Sequence, residues 1–242
     1  MGKKIGMMQP YLFPYLGYFQ LMAAVDIFVL GDDLQYVKES WINRNRILVN
    51  GKDKLVTFPL KKDSHHLNIN QRYFSDNFIQ EMEHLLRIIF SSYRKAPCFE
   101  SVYPLLEDIL MYDEKNLAKF TIRSLRRLCD YMRIETPILV ASDLVIGEVA
   151  DKQERVILTQ KKLGGDVYIN LIGGMKLYSP ERFLEHGIVL KFHQIDDICY
   201  SQFGNEFVPL LSIIDVLMFN DLRKMQNLLS RYSLLDHMGQ PA

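Results

Sequence analysis

The residues best placed to take part in chemistry in this sequence are two adjacent carboxylates, Asp32 and Asp33. They follow the run Asp26–Leu30, whose β-branched and aromatic side chains predict a strand that ends at Gly31. A carboxylate at the end of a strand can accept a proton from an amine or a hydroxyl group. It can also hold Mg²⁺, which prefers oxygen ligands. We therefore name both residues as candidate catalytic residues, and Mg²⁺ as one cofactor that they could hold.

A turn between a strand and a helix precedes this pair in the chain. The predicted strand Lys4–Met8 stops before Pro10, because proline has no N–H group to donate to a sheet. A helix is predicted to begin at Pro14 or Tyr15, and its apolar residues recur at helical spacing as far as Val25. Two strands joined by one helix are expected to be parallel, with a right-handed crossover.

This strand–helix–strand unit predicts a binding site for an anion. Ligands of parallel α/β units bind beyond the carboxyl ends of the strands. The free N–H groups at a helix N-terminus favour a phosphate or another anion there. On this hypothesis four residues of the turn and the first helix contact the substrate, namely Gln9, Tyr11, Gly17 and Tyr18. The alternative is that Tyr11, Tyr15 and Tyr18 are ordinary core aromatics.

The segment Gln35–Arg46 is predicted to be a loop that covers the same site. It has no clean period, and it contains the only tryptophan of the chain. Its candidate substrate contacts are Trp41, Asn43 and Arg44, which offer a stacking face and donors suited to phosphate, carboxylate or sugar hydroxyls. The alternative is a surface loop whose arginines form a structural ion pair with one of the two carboxylates.

Turn residues and periodicity predict the remaining elements. Asn50-Gly51 is a strong signal for a β-hairpin, here within Arg46–Leu60. Capping residues, glycine stops and helical spacing predict the other helices. The predicted helices span residues 75–93, 99–112, 116–132, 148–163, 179–187 and 209–219, and the predicted strands span residues 137–141, 166–170 and 188–192.

This order of elements predicts an α/β fold. We expect a mainly parallel, Rossmann-like sheet with helices on both faces, together with the β-hairpin. A single domain over residues 1–242 is expected, with a helical insertion at about residues 75–132. Gly173-Gly174 follows one predicted strand, and it either lines the same crevice or forms a plain turn.

The C-terminal helix predicted over residues 209–219 is apolar on nearly every side, which indicates that it is buried. Within it, Ser212 and Asp215 lie three residues apart on nearly the same face. A buried carboxylate is costly unless it is paired. Asp215 therefore either forms a structural hydrogen bond or ion pair, or reaches the substrate pocket.

Composition excludes several classes of function. The chain has 29 basic and 29 acidic residues, a balance that argues against attraction of nucleic acid or membranes by overall charge. The sequence has no long uninterrupted apolar run, so we expect neither a signal peptide nor a membrane span. The three cysteines lie far apart and are expected to be reduced thiols of a cytoplasmic protein. No histidine or cysteine spacing predicts a metal site, and no Walker, G-x-S-x-G or H-E-x-x-H motif is found.

Several stretches of the sequence resemble the WbqC-like family, and the resemblance runs over essentially the whole chain. They are MQPYLFPYLGYFQLMAAVDIFVLGDD, WINRNRI, YSQFG and FVPLLSIIDVLMF. The family is bacterial, and its members are often encoded among genes for O-antigen and other surface polysaccharides. The resemblance implies a cytoplasmic biosynthetic protein, with transfer of a glycyl group to an amino sugar among the proposed roles. It also places Gln202 at a motif position, as a further candidate substrate contact.

The layout of the first unit is also similar to the start of the HxGH nucleotidyltransferase superfamily. Tyr15-Leu16-Gly17-Tyr18 stands where that superfamily has its two histidines. Imidazole groups there stabilise charge on the transferred phosphate, whereas tyrosine hydroxyls donate only as neutral groups. The resemblance therefore implies nucleotide binding more than adenylyl transfer.

Two classes of function follow from these observations. The first is a transferase of surface-polysaccharide biosynthesis that binds an anionic or nucleotide-containing donor and a sugar acceptor. Arg44 would hold the anion, and Asp32 or Asp33 would act as base or hold Mg²⁺. The alternatives are a nucleotide-binding protein related to nucleotidyltransferases, and a non-catalytic partner of a glycan-biosynthesis enzyme, for which we expect a large exposed apolar patch.

Overall fold

A six-stranded sheet forms the centre of the computed structural model, which describes residues 2–64, 66–147, 149, 151–204 and 206–241. The strand order is β5-β2-β1-β6-β7-β8, and every neighbouring pair is parallel except β7 and β8. This finding confirms the predicted mainly parallel α/β fold. The strands of the sheet are β1 Lys4–Met8, β2 Ile27–Leu30, β5 Ile138–Val140, β6 Val167–Leu171, β7 Val189–Ile195 and β8 Tyr232–Leu235.

Helices cover both faces of this sheet. They are α1 Leu16–Ala24, α2 Phe78–Tyr93, α3 Phe99–Leu110, α4 Leu117–Met132, α5 Lys152–Leu163, α6 Pro180–Leu184, α7 Ile213–Phe219 and α8 Leu222–Leu229. Side chains of a strand alternate between the two faces, and β2 illustrates this. Phe28 and Leu30 join the core that contains α1 and α4, whereas Val29 joins the core that contains α5 and α6.

The helices in the block at 75–132 share one hydrophobic core with α1, α7 and α8. In the chain they lie between β4 and β5. The single domain with a helical insertion that the sequence predicts stays a prediction. None of the helices in the described ranges is long and apolar enough to cross a membrane.

The β-hairpin forms a separate two-stranded sheet of β3 Arg44–Val49 and β4 Lys52–Thr57. Asn50 and Gly51 have φ of 52° and 74°, which are the two positive values of a type I′ turn. The predicted β-hairpin is therefore confirmed. β4 is mostly exposed. The residues of β3 are buried or partly buried, and β3 packs on α2 and α7.

Several element boundaries differ from the predicted ones, and the starts of three helices illustrate this. α1 begins at Leu16, after an extended Tyr15. α7 begins at Ile213 rather than Pro209, because Leu210 has a φ of 55° and the Ser212 side chain caps the helix. α5 begins at Lys152 behind the Asp151 cap, and the predicted start at residue 148 lies outside the described residues. Neither α8 nor β8 was predicted.

Candidate functional site

The carboxyl ends of β2 and β5 lie side by side, and the buried Asp32 joins them. Its Oδ1 accepts the backbone N–H of Ser142 at 3.0 Å, and its Oδ2 accepts the Ser142 hydroxyl at 2.8 Å. Asn70 donates its side-chain amide to Oδ2 at 3.1 Å, and its backbone N–H to the Asp32 carbonyl. Asp32 therefore fixes two loops around one end of the sheet.

A cavity of about 540 Å³ opens beside Asp32, where α4 passes over the ends of β2 and β5. This volume lies within the range of roughly 300–1,000 Å³ that is usual for small-molecule sites. Its position matches the rule that ligands of parallel α/β proteins bind beyond the carboxyl ends of the strands. The lining residues with polar or charged side chains are Asp32, Asn70, Asn116, Lys119, Arg123, Arg126, Arg127, Ser142 and Asp143.

The cationic wall of this cavity is the polar face of α4. The opposite face carries apolar residues such as Leu117, Leu125 and Leu128, which are fully buried, so the basic residues are left facing outward. Asn116 caps the helix by accepting the backbone N–H of Lys119, and it donates its amide to the Asn70 carbonyl at 2.7 Å. One asparagine therefore sets both the start of the helix and its distance from the Asp32 loop.

Two of the four cations in the wall are already paired. Arg127 donates Nε to Asp108 Oδ2 at 2.9 Å, and Arg123 donates to both Asp108 oxygens at 3.3 Å. The hydrogen bond from Arg127 is the main reason that the pKa of Asp108 lies below its usual value, with the charge of Arg123 also contributing. Arg126 donates to the Ile138 carbonyl at 3.4 Å, and Lys119 is exposed.

Asp33 points to another neighbour, Arg155 of α5, with which it forms an ion pair. Burial raises the pKa of Asp33, while the positive charge of Arg155 acts in the opposite direction. Within the described residues, Asp33 Oδ1 and Arg155 Nε are buried without a hydrogen-bond partner. Asp33 therefore keeps one oxygen without a partner, but that oxygen is buried and Asp33 is not part of the cavity lining.

The surroundings of these carboxylates do not fit Mg²⁺. Asp32 is surrounded by donors, since a hydroxyl, an amide and a backbone N–H occupy its oxygens. Asp33 is neutralised by a guanidinium group. Mg²⁺ instead needs several oxygen ligands around it. No group of three or more histidine, cysteine or acidic residues that could hold a metal was found among the residues that the structure describes.

The turn before α1 is largely buried in the structure. Leu12 and Phe13 are 0% and 1% exposed. The Asn45 side chain donates to both of their carbonyls, and the Ser212 hydroxyl donates to the Phe13 carbonyl at 2.8 Å. The backbone N–H of Ile213 donates to Pro14. The hairpin and the start of α7 therefore cover the side of the turn where we expected an open anion site.

Tyr18 has no exposed surface with which to contact a ligand, and its hydroxyl donates to the Gln9 carbonyl at 2.8 Å. Tyr11 is half-buried, packs on the ring of Tyr18, and donates to Gln9 Oε1 at 3.4 Å. Gly17 is buried beneath the ring of Tyr15, and a Cβ atom there would lie 2.4 Å from that ring. Gly17 and Tyr18 are therefore buried, whereas Gln9 and Tyr11 reach the surface, and the substrate contacts of these four residues stay a prediction.

The segment 35–46 supplies structural contacts. Asn43 is buried, accepts the Tyr36 hydroxyl and donates to the Phe58 carbonyl, both at 2.8 Å. Arg44 donates Nε to the Ser40 carbonyl at 3.2 Å. Trp41 is 45% exposed, and the Arg46 guanidinium lies 5.2 Å from its ring centre. The partner of Asp33 is Arg155, so the ion pair expected with the loop arginines does not form.

Gln202 belongs to a buried polar cluster around Asp215, away from the Asp32 cavity. It donates to Asp215 Oδ2 at 2.7 Å and to the Val208 carbonyl at 3.2 Å. Tyr200 and Tyr93 donate their hydroxyls to the same carboxylate at 2.7 and 2.9 Å. Of the two roles considered for Asp215, the structure shows the paired, structural one.

Sequence reasoning missed most of the cavity wall. Asn70, Ser142 and the basic residues of α4 were not named as candidates, and outside the wall the same holds for Arg155, the partner of Asp33. Two signals were available in the sequence. Ser142-Asp143 follows a predicted strand in the same way that Asp32-Asp33 does, and α4 carries three arginines within five residues.

The fold and the cavity define an α/β protein with a ligand-sized cleft at the carboxyl end of a mainly parallel sheet. The sequence profile of the WbqC-like protein family matches residues 9–227, and the chain belongs to this family. It is 30% identical over 219 residues to the uncharacterized protein Rv1507c of Mycobacterium tuberculosis, a match that covers 89% of this chain and 93% of that protein. No solved structure matches the chain.

Proposed function

We propose that this protein is a transferase of bacterial surface-polysaccharide biosynthesis and that it acts in the cytoplasm. It binds an anionic, activated donor in the Asp32 cavity and transfers an acyl or aminoacyl group, such as a glycyl group, to an amino sugar. The single observation that carries the proposal is the cationic wall of α4 over the carboxyl ends of β2 and β5. Family membership supports the biosynthetic context.

In this proposal Asp33 acts as the general base. Its pKa is raised by burial, and its Oδ1 has no hydrogen-bond partner among the described residues. That oxygen is buried and Asp33 does not line the cavity, so this role requires the side chain to turn from Arg155 toward the bound acceptor. The acceptor amine attacks the donor carbonyl, and a C–N bond forms as the bond to the leaving group breaks. The amine proton passes to Asp33. Asp32 has a different role, because its hydrogen bonds hold Asn70 and Ser142 at the cavity.

Calorimetric titration tests donor binding. Nucleotides, nucleotide sugars and aminoacyl donors would be titrated into the wild type and the Arg126→Gln variant. We expect at least one of these donors to bind, and Arg126→Gln to weaken that binding by tenfold or more. Arg87→Gln is the matched control, since Arg87 is an exposed arginine on α2 outside the cavity. If no donor binds, or if both variants bind as the wild type does, the proposal is wrong.

A second candidate is a non-catalytic partner of a glycan-biosynthesis enzyme. Exposed apolar side chains favour it, because Leu177 and Leu184 are each 70% exposed and Val189 is 46% exposed, on segments next to one another along β7. Complementation of a deletion strain separates the two candidates. Full complementation by a folded Asp32→Asn/Asp33→Asn double variant supports the partner role, and loss of complementation by folded Asp33→Asn alone supports the transferase.

A further inference from the structure

The residues that line the Asp32 cavity carry more positive than negative charge. Among the residues that the structure describes, four basic side chains line it, against two carboxylates, Asp32 and Asp143. The three donors bound to Asp32 are neutral groups, so Asp32 keeps its charge, but no ion pair joins it to the wall within the described ranges. A ligand with several negative oxygen atoms would therefore be favoured next to α4, where arginine can form paired hydrogen bonds.

Asp108 shows how two of these arginines bind an oxyanion. Its carboxylate, on α3, accepts Arg127 Nε at 2.9 Å and an Arg123 N–H at 3.3 Å from each oxygen. The group lies just outside the cavity lining, and its two partners lie within it. Asp108 therefore occupies N–H donors of Arg123 and Arg127 that a bound anion would otherwise use, and it competes with that anion for them.

The two remaining cations are placed for direct contact. Arg126 is exposed, and the hydrogen bond that it makes is a long one to a backbone carbonyl. Lys119 lies about two helical turns away on the same side of α4, and it forms no ion pair within the described ranges. On the opposite side of the cavity, Asn70 and Asp143 offer groups that hydrogen-bond hydroxyls.

We infer that the anion bound in this cavity is a phosphate ester, in particular a diphosphate, and that Asp108 limits its affinity. This inference rests on the proposed function and specifies its donor. Phosphate oxygens occupy the α4 side, held by Lys119 and Arg126, and hydroxyl groups of the same ligand face Asn70 and Asp143. A single carboxylate has too few oxygens for the donors that converge here, whereas a diphosphate has enough.

Titration with inorganic pyrophosphate, monitored by calorimetry and by ³¹P NMR, tests the inference. We expect one binding site that Arg126→Gln weakens by tenfold or more and that Arg87→Gln leaves unchanged. Asp108→Asn should tighten binding about threefold to tenfold, because Arg123 and Arg127 lose their competitor. Loss of binding in Asp108→Asn, with an unchanged melting temperature, would show that Asp108 orients the arginines and does not compete.

A parallel titration with citrate separates this inference from the proposed function. If citrate binds with the same dependence on Arg126 and pyrophosphate does not, the phosphate inference is wrong and an anionic donor of another class remains. If neither anion binds, both proposals fail. Pyrophosphate binding that the Arg126→Gln variant retains in full would place the phosphate site elsewhere and overturn the inference.

Discussion

Replacement of Asp215 by asparagine is the most informative test of how the fold is held together. The carboxylate is fully buried and accepts hydrogen bonds from Tyr93, Tyr200 and Gln202. The hydroxyl of Tyr93 also accepts the backbone N–H of Leu48 on β3 at 2.7 Å. The cluster therefore connects α2, the hairpin, the segment before α7, and α7 itself.

The magnitude of the effect follows from the chemistry of the amide. Asparagine keeps one acceptor oxygen but places an NH₂ group against a donor, so at least one hydrogen bond to a charged group is lost, at a cost of about 3 kcal/mol. Burial raises the pKa of Asp215, so loss of the buried charge offsets part of this cost. We expect a net loss of about 2 kcal/mol, and a melting temperature lower by about 4–8 °C for a chain of this size.

Thermal unfolding measured by calorimetry at neutral pH checks this estimate. Asp221→Asn is the matched control, because Asp221 is an exposed helix cap and asparagine caps as well as aspartate. Tyr200→Phe should cost less than Asp215→Asn, about 1 kcal/mol, since it leaves two donors on the carboxylate. An Asp215→Asn protein that melts within about 1 °C of the wild type would refute the reasoning.

Three further predictions concern packing, pH and ion pairing. Gly17→Ala should destabilise the protein by about 1–3 kcal/mol in urea unfolding, because its Cβ would overlap the Tyr15 ring. Burial lowers the pKa of His193 from 6.5 to about 4, so stability should fall by up to about 3 kcal/mol as the pH drops from 6.5 to 4, and His193→Phe should remove that part of the dependence. Arg155→Gln should cost about 1–3 kcal/mol in thermal unfolding, because the partly buried Asp33 loses its partner.

Each of these predictions has a result that would contradict it. Gly17→Ala with unchanged stability would mean that the Tyr15 ring moves aside at no cost. A His193→Phe protein with the same acid sensitivity as the wild type would assign that sensitivity to other groups. For Arg155 the control is Arg182→Gln, which removes a solvent-accessible ion-pair partner and should destabilise the protein less than Arg155→Gln does. Equal effects would mean that the Asp33 pair contributes no more to stability than a surface pair.

The sequence predicted the architecture well because the signals for it are local. Asn50-Gly51 can both take positive φ, so the hairpin was predictable from two residues. Gly164, with a φ of 67°, ends α5 where the glycine pair predicted. β8 was missed because it lies near the C-terminus of the chain and pairs with β7 without a short turn between them. The sequence therefore contains no turn residues that indicate this pairing.

The candidate site was predicted less well because its partners are distant in sequence. Asp32 was chosen from its place after a strand, but its donors Asn70 and Ser142 lie 38 and 110 residues away. The helix N-terminus looked open in the sequence because Asn45 and Ser212 approach it from elsewhere. A motif indicates that residues belong together, but it does not distinguish those that contact a ligand from those that pack.

The contacts that cover the turn before α1 have a consequence for biosynthesis. Besides the hydrogen bond from Asn45, the Phe13 carbonyl accepts one from Ser212, 199 residues later. Gln20 donates to the carbonyls of Leu228 and Arg231, which are more than 200 residues away. While the chain emerges from the ribosome, the Gln20 side chain of α1 lacks these partners until nearly the whole protein has been made. Such long-range contacts slow folding, and they leave apolar surface of the nascent chain exposed until the C-terminal segment is released.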